Sequence, residues 1–235
     1  MKHTFFIKDW LNSFLSLLFP HCCVVCGRPL AKGEECLCIM CNINLPRTNY
    51  HLRKDNPVER LFWGQIPLER ATSFFFYRKG SDFRQILHQL KYGGKKEVGI
   101  IMGRYMAAEL SDSGFFEGVD VIIPIPLHKK KQQIRGYNQS ECIARGIAAV
   151  TGITVCVESV VRRKNTETQT RKSVFERWEN VDGIFELNHA DSLTGKHILI
   201  VDDVLTTGAT TIACASRLAE VEGTRTSVLT LAMAD

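Results

Sequence analysis

The spacing of apolar residues predicts strands and helices that alternate over most of the chain. Short apolar or aromatic runs predict strands, whereas apolar stripes at helical spacing predict helices. The predicted strands are 74–77, 119–125, 153–157, 197–201 and 226–233. The predicted helices are 81–92, 98–106, 139–150 and 208–219. This alternation favours an α/β fold with a mostly parallel sheet and helices on both faces. In such sheets ligands bind beyond the carboxyl ends of the strands.

The N-terminal segment has an apolar stripe of its own. Its members, which fall on one helical face, are Phe6, Trp10, Phe14, Leu17 and Leu18. This pattern predicts a short amphipathic helix that docks on its own protein, with a helix lying on a membrane surface as the alternative. No apolar run approaches the roughly 20 residues that a spanning helix needs. We therefore expect a soluble protein with no transmembrane segment.

The cysteines are concentrated near the N-terminus, where six of the nine lie between positions 22 and 41. Cys23-x2-Cys26 and Cys38-x2-Cys41 are two pairs separated by eleven residues, a spacing that can close a tetrahedral zinc site with four thiolates. Because four cysteines leave no open position, the predicted role of the zinc is structural. Cys22 is an alternative to Cys23. Clustered cysteines of odd number also indicate a reduced, cytoplasmic compartment.

The net charge of +5 comes mainly from one segment. Residues 129–177 contain eleven Lys and Arg but four Asp and Glu, and the rest of the chain is about neutral. A basic segment of this kind predicts an anionic partner, either phosphates or nucleic acid.

One ordered run carries specific chemistry. The apolar strand 197–201 leads directly into Asp202 and Asp203, whose carboxylates can accept hydrogen bonds from two neighbouring ribose hydroxyls. The loop that follows offers backbone N–H groups, hydroxyls and a helix N-terminus to a phosphate. Its residues are Thr206, Thr207, Gly208, Ala209 and Thr210. A ribose diol with a 5′-phosphate satisfies both ends, so the run predicts a site for phosphoribosyl pyrophosphate (PRPP).

This run resembles the fingerprint of type I phosphoribosyltransferases. Thr206 stands where purine salvage members often carry an aspartate, so the resemblance does not support that specificity. Together with the cysteines, the chain resembles the ComF family (ComFC or GntX-like), which joins a four-cysteine module to a type I phosphoribosyltransferase domain. Further matching segments are Phe19-Pro20, 26–30, Leu45-Pro46, 90–92, 124–128, 135–139, 163–169, Arg177, Asn180-Val181, 183–185 and 228–232.

The resemblance implies a type I phosphoribosyltransferase fold, Mg²⁺ bound with PRPP, and roles for two basic segments. A pyrophosphate loop would contain Leu127, His128, Lys129 and Arg135. A lid over residues 162–177 that closes over the pyrophosphate would contribute Arg163, Lys164, Gln169 and Arg177. The alternative is a disordered loop. The implied division is an N-terminal helix and zinc module at 1–50, a connection at 51–72 and the phosphoribosyltransferase domain at 73–235.

Two function hypotheses follow from this resemblance. The first is an enzyme that transfers the phosphoribosyl group of PRPP to an acceptor that the sequence does not identify, or that hydrolyses PRPP. The second is a non-catalytic, PRPP-responsive factor that binds single-stranded DNA. Both fit the family's association with DNA uptake in natural competence, and both imply other competence proteins as partners.

Overall fold

The protein is described by a computed structural model that covers residues 21–163 and 184–234. A five-stranded sheet lies at its centre, with all strand pairs parallel and with the order β1-β7-β6-β2-β3. Its strands are β1 (Arg70–Tyr77), β2 (Val121–Pro124), β3 (Thr154–Val155), β6 (His197–Leu205) and β7 (Arg225–Ala234). The predicted α/β fold with a parallel sheet is confirmed. The predicted N-terminal helix lies outside the described residues.

Seven α-helices occur in the described ranges. They are α1 (Ile39–Ile43), α2 (Pro57–Arg60), α3 (Arg84–Tyr92), α4 (Lys96–Ser111), α5 (Lys129–Arg135), α6 (Gln139–Thr151) and α7 (Ala209–Leu218). Short 3-10 helices span Tyr50–Leu52 and Ala190–Leu193. In these ranges no helix is both long enough and apolar enough to cross a membrane.

Two apolar clusters cover the sheet. The cluster on one face includes Leu90 of α3, Met102 of α4 and Ile143 of α6, together with Leu199 of β6. The cluster on the other face includes Ile212 of α7, packed with alternate residues of β6 such as Ile198 and Ile200. Successive β-strand residues point to opposite faces, so a strand buried on both sides has a continuous apolar sequence, as 198–201 does.

Helices α4 and α6 approach each other closely through glycine. A Cβ atom on Gly103 would lie 2.2 Å from the carbonyl oxygen of Ile143, and one on Gly146 would lie 2.1 Å from the carbonyl oxygen of Ile100. Both distances are far below van der Waals contact. Glycine is therefore required at these two positions, and the contact fixes how α6 sits over the sheet.

The cysteine segment packs into the same core. Leu37, Leu45 and the buried Cys36 join the cluster that contains Phe74 and Met102. Arg47 reinforces this packing because its Nε atom donates to Glu109 of α4 at 2.6 Å. Its other guanidinium nitrogens donate to the carbonyl and side-chain oxygens of Asn42 at 2.6 and 2.8 Å.

Three predicted elements differ in the structure. Strand β6 does not end at Val201 but runs to Leu205, because Asp202 and Val204 keep their register with β7. The segment expected as a basic loop after β2 forms helix α5, for which His128 accepts the capping hydrogen bond. The strand predicted over 153–157 is shorter, and a separate antiparallel pair follows from β4 (Val160–Arg162) and β5 (Phe185–Leu187).

Candidate functional site

A cleft of about 690 Å³ lies at the carboxyl end of the sheet. Strand β6 and the loop after it contribute the acidic and hydroxyl groups of its wall. Helices α3, α5 and α6 and strand β4 contribute the remaining polar groups. The charged and hydroxyl-bearing lining residues include Arg84, His88, Lys91, Lys131, Arg135, Ser140, Arg162, Asp202, Asp203, Thr206 and Thr210.

Asp202 and Asp203 are held in different ways. Oδ1 of Asp202 accepts hydrogen bonds from Ser140 Oγ and from the backbone N–H of Asp203, both at 2.8 Å. Asp203 forms an ion pair with Lys91, whose Nζ lies 3.1 Å from the carboxylate. Burial and the neighbouring charge of Asp203 raise the pKa of Asp202 to about 7. A cation or a hydrogen-bond donor placed in the cleft would therefore stabilise the ionised form of Asp202.

The loop after the carboxylates turns at Gly208. This residue has a φ of 75°, a left-handed conformation that favours glycine, and it is the N-cap of α7. A Cβ atom there would also lie 3.2 Å from the Phe62 ring, so the loop packs against residues beside α2. Thr206 and Thr210 face the cleft on either side of this turn. The helix N-terminus and two hydroxyls thus border the cleft next to the carboxylates.

Cations cluster on the β2 side of the cleft. Lys131 and Arg135 come from α5, and Arg162 comes from β4. Burial lowers the pKa of Lys131, and the charges of Arg162, Arg135 and Lys91 lower it further. Burial also lowers the pKa of Arg162, an effect that the charge of Asp202 opposes. Mutual repulsion among these cations favours an anion in the cleft, because an anion would relieve it.

The predicted pyrophosphate loop is only partly at the cleft. Leu127 and Arg135 line it. His128 instead caps α5, since its Nδ1 accepts from the backbone N–H of Lys130 at 3.3 Å. Lys129 is exposed and is not among the described lining residues, whereas Lys131 is. The formation of α5 explains this difference, because a helix points residues 129 and 131 in different directions.

The predicted lid residues fall mainly outside the described ranges. Lys164, Gln169 and Arg177 lie there. Arg163 is described, and it pairs with Glu186 of the neighbouring antiparallel strand β5 instead of lining the cleft. Its neighbour Arg162 lines the cleft in its place.

Several cleft residues were not found from sequence. Lys91 and Ser140 touch the aspartates, although nothing in their local pattern separates them from ordinary helix residues. A weak signal existed for Lys91, which lies in one of the segments shared with the ComF family. Arg84 had no such signal, because only the folded chain brings it to the carboxyl edge of the sheet, whereas Arg162 is the first residue of the predicted lid segment.

The four predicted zinc ligands converge in the cysteine segment. The Sγ atoms of Cys23, Cys26, Cys38 and Cys41 all lie within 4.8 Å of one another. A turn after Cys26 brings this about: Gly27 has a φ of 72°, and its N–H donates to the Cys23 carbonyl at 2.9 Å. Cys23 belongs to this set, whereas Cys22, the alternative ligand, is exposed and does not belong to it. The cluster has the ligand type and spread that a tetrahedral metal ion such as zinc requires.

The surroundings of Cys38 favour the thiolate form of its side chain. The backbone N–H of Cys41 lies 3.5 Å from the Sγ atom of Cys38, and this contact is the main cause that lowers the pKa of Cys38 to about 6. Cys36 lies outside the cluster, and burial raises its pKa to about 12. Cys36 is therefore a protonated residue of the apolar core and not a member of the cluster.

A family model agrees with this site, and sequence relatives cover most of the chain. A family model described as "Phosphoribosyl transferase domain" matches residues 137–234, which include both aspartates and the threonine loop. The chain is 29% identical over 217 residues to "DNA utilization protein YhgH" from Shigella flexneri, covering 86% of this chain and 92% of that protein. It is 26% identical over 203 residues to "Competence protein ComFC" from Bacillus subtilis, covering 85% of this chain and 72% of that one. A solved glutamine PRPP amidotransferase from Bacillus subtilis aligns with 61% of this chain and 30% of its own, with 18% identity and a TM-score of 0.42.

The parallel sheet, the matched domain and the carboxylate–threonine site define a phosphoribosyltransferase-type protein. The relatives and the N-terminal four-cysteine cluster support a phosphoribosyltransferase-type protein of the ComF family.

Proposed function

We propose that the cleft binds PRPP together with Mg²⁺ and supports phosphoribosyl transfer or hydrolysis of PRPP. One observation carries the proposal: two carboxylates, a threonine loop at a helix N-terminus and a separate cation cluster line a single cleft. PRPP has a ribose diol, a 5′-phosphate and a pyrophosphate, which are the complements of these three groups.

Each part of PRPP has a set of residues in this proposal. Asp202 and Asp203 accept hydrogen bonds from the ribose hydroxyls. The loop 206–210 donates to the 5′-phosphate. The pyrophosphate is bound by the cations of the β2 side, which are Lys131, Arg135 and Arg162. Among the described residues, these three cations take the pyrophosphate-binding role that the sequence predicted for Lys129 and Arg163. The pyrophosphate contacts of Lys164, Gln169 and Arg177 stay a prediction.

In the reaction, a nucleophilic atom of the acceptor, or of water, forms a bond to the anomeric carbon of the ribose. The bond from that carbon to the pyrophosphate oxygen breaks, pyrophosphate leaves with the electron pair, and the nucleophile releases its proton. Lys131 and Arg135 would stabilise the charge that develops on the leaving group. Most of the rate enhancement would come from holding ribose and leaving group in place.

The residues present fit Mg²⁺. Two neighbouring carboxylates in the last half of β6 provide the oxygen ligands that this ion prefers. Burial and the charge of Asp203 raise the pKa of Asp202, so a cation beside this pair would stabilise its ionised form. When bound with PRPP, Mg²⁺ would supply further neutralisation of the pyrophosphate.

Binding can be tested apart from catalysis. PRPP with Mg²⁺ should raise the melting temperature of the full chain, because a ligand that binds only the folded state stabilises it. The double variant Asp202→Asn, Asp203→Asn should show a much smaller shift, and release of pyrophosphate from labelled PRPP, with and without candidate acceptors, would report turnover. An unchanged PRPP shift in the double variant would show that the ribose site is elsewhere.

We also propose that the four-cysteine cluster holds one structural zinc ion. Four thiolates close the coordination sphere, so the ion would take no part in the reaction. Its function would be to fold residues 21–47 against α4, where Arg47 and the core residues of that segment already make contact.

The relatives' names suggest a cellular role and a second candidate function. We propose that the protein acts in DNA uptake or use, in the cytoplasm and with other competence proteins. Direct binding of single-stranded DNA is favoured by the exposed Lys129 and Lys130 of α5, which lie outside the described lining of the cleft. If the cleft cations also bind DNA, PRPP and DNA should compete. Simultaneous binding without mutual effect would separate the two sites.

A further inference from the structure

The ion pair between Lys91 and Asp203 joins the last turn of α3 to strand β6. Nζ of Lys91 lies 3.1 Å from Oδ2 of Asp203, and the two side chains are only 23% and 14% exposed. Both residues line the cleft. The ammonium group therefore contacts one of the two carboxylates that the proposed function assigns to the ribose and to Mg²⁺.

The backbone that carries Lys91 is held firmly. The hydroxyl of Tyr137 donates to the carbonyl oxygen of Leu90 at 2.6 Å, and the Leu90 side chain is buried in the core. Tyr137 directly precedes Asn138, the N-cap of α6, so the last turn of α3 is tied to the start of α6. The lysine side chain itself is a compact charge on a flexible four-carbon stem. It can therefore change partners while the helix stays in place.

Lys91 supplies positive charge to a pair of adjacent carboxylates. Burial and the charge of Asp203 raise the pKa of Asp202, and the charge of Lys91 opposes this rise. A divalent cation at Asp203 would have the same effect. However, an ammonium group 3.1 Å from the carboxylate occupies the space in front of Oδ2 and repels a second cation. Lys91 and a metal ion are therefore competitors for Asp203.

The cation cluster of the β2 side is close enough to interact with the Lys91 charge. Burial lowers the pKa of Lys131, and the charges of two arginines and of Lys91 lower it further. The ring of Tyr92, the next residue in α3, has its centre 5.7 Å from the Arg135 guanidinium, so the end of α3 lies beside this cluster. An anion bound by the cluster would attract Lys91 as well, because its field acts on every nearby cation.

We propose that Lys91 is an internal counter-ion that excludes free divalent cations from Asp203 and gives way only to a cation that arrives with PRPP. The ammonium group leaves Asp203 when Mg²⁺ binds there, and it pairs with an oxygen of the pyrophosphate instead. Metal and substrate enter together, because either one alone leaves a charge without its partner. The transfer to pyrophosphate rests on the proposed function, whereas the competition for Asp203 does not require PRPP.

Metal binding without PRPP tests the competition. Mn²⁺ takes the same oxygen ligands as Mg²⁺, and its free form can be measured by electron paramagnetic resonance. At pH 8.5, above the pKa of about 7 of Asp202, Lys91→Met should bind Mn²⁺ about tenfold more tightly than the wild-type chain, the effect of removing one competing charge-assisted hydrogen bond. Lys91→Arg keeps the charge and should keep the weak affinity. Lys96→Met, at an exposed position outside the described lining of the cleft, should also leave the affinity unchanged. Equal Mn²⁺ affinity in Lys91→Met and the wild type, or no binding to either, overturns the proposal.

The affinity for PRPP with Mg²⁺, measured by calorimetry, tests the transfer to pyrophosphate. Lys91→Met should lower this affinity about tenfold, so that the affinities for metal alone and for substrate change in opposite directions. A purely structural role of Lys91 would weaken both, and the melting temperature of the variant reports whether it is folded. An affinity for PRPP that is unchanged or raised in Lys91→Met overturns the transfer. A wild-type chain that fails to bind PRPP, with tighter Mn²⁺ binding in Lys91→Met, would refute the proposed function and leave the competition for Asp203 standing.

Discussion

The hydroxyl of Ser140 donates a hydrogen bond to Oδ1 of Asp202 across 2.8 Å and so joins the first turn of α6 to strand β6. This bond favours the ionised form of Asp202, against burial and the charge of Asp203, which raise its pKa. Asn138 sets the position of Ser140: its Oδ1 accepts from the N–H of Ser140 at 3.1 Å, and its Nδ2 donates to the Ile125 carbonyl at 3.0 Å.

The variant Ser140→Ala should raise the pKa of Asp202 further, because it removes a donor that stabilises the carboxylate. If Asp202 binds the ribose as an anion, PRPP affinity near pH 7 should fall about tenfold, the magnitude expected for one hydrogen bond to a charged group. The loss should be smaller near pH 9, where Asp202 is ionised in both proteins. Ser140→Thr, which keeps the hydroxyl, is the matched control. A loss that is the same at both pH values would show that Ser140 acts only through packing.

The raised pKa of Asp202 has a consequence for the stability of the free protein. A carboxyl group whose pKa is higher in the folded state than in the unfolded state contributes stability at low pH, and this contribution is lost as the pH rises from about 4 to about 7. Asp202→Asn removes the titration, so it should raise the melting temperature at pH 8 and change it little at pH 4. Asp112→Asn, at an exposed position at the end of α4, controls for the change of net charge. A lower melting temperature for Asp202→Asn at pH 8 would contradict the assigned direction.

Metal analysis can test the cysteine cluster. Protein purified under reducing conditions should contain about one zinc per chain, because four clustered thiolates bind one tetrahedral ion. Cys38→Ser should lose the metal and lower the melting temperature, since metal binding supplies folding free energy. Cys22→Ser, which changes an exposed cysteine outside the cluster, should keep the metal. Stoichiometric zinc in a variant lacking both Cys38 and Cys41 would rule out the assignment.

The contact between α4 and α6 should be sensitive to a single methyl group. In Gly103→Ala the new Cβ atom would lie 2.2 Å from the Ile143 carbonyl oxygen, so the helices must move apart. We expect a loss of about 1–3 kcal/mol in the free energy of unfolding, measured by urea denaturation. Gly80→Ala is the control, because nothing lies within 4 Å of its Cβ position and its φ is not positive. Equal midpoints for the two variants would mean that the helices are not held at this distance in solution.

Binding of single-stranded DNA should be mainly electrostatic. Its affinity should fall by roughly 0.7 log units per phosphate contact for each tenfold rise in salt concentration. Lys129→Gln with Lys130→Gln should reduce this slope by about one unit or more while PRPP binding is kept, because neither residue is among the described residues that line the cleft. If the protein does not bind single-stranded DNA even at low salt, PRPP chemistry remains as its proposed function.

The sequence by itself determined the elements whose signal is local. The continuous apolar run 198–201 indicated a strand buried on both faces, and the spacing of Cys23, Cys26, Cys38 and Cys41 indicated the cluster that the structure forms. The order of carboxylates and threonines after that strand indicated the class of protein, because one short segment carries the whole motif.

Only the tertiary structure decided which other residues join the site. Lys91 and Ser140 lie 112 and 62 positions before their aspartate partners, and they reach them because α3 and α6 pack over the same edge of the sheet. The basic segment after β2 illustrates the same limit: its composition indicated an anion site, but the formation of α5 turned Lys131 toward the cleft and left Lys129 exposed. Side-chain direction depends on backbone conformation and on long-range packing, and neither is encoded in the local pattern of residues.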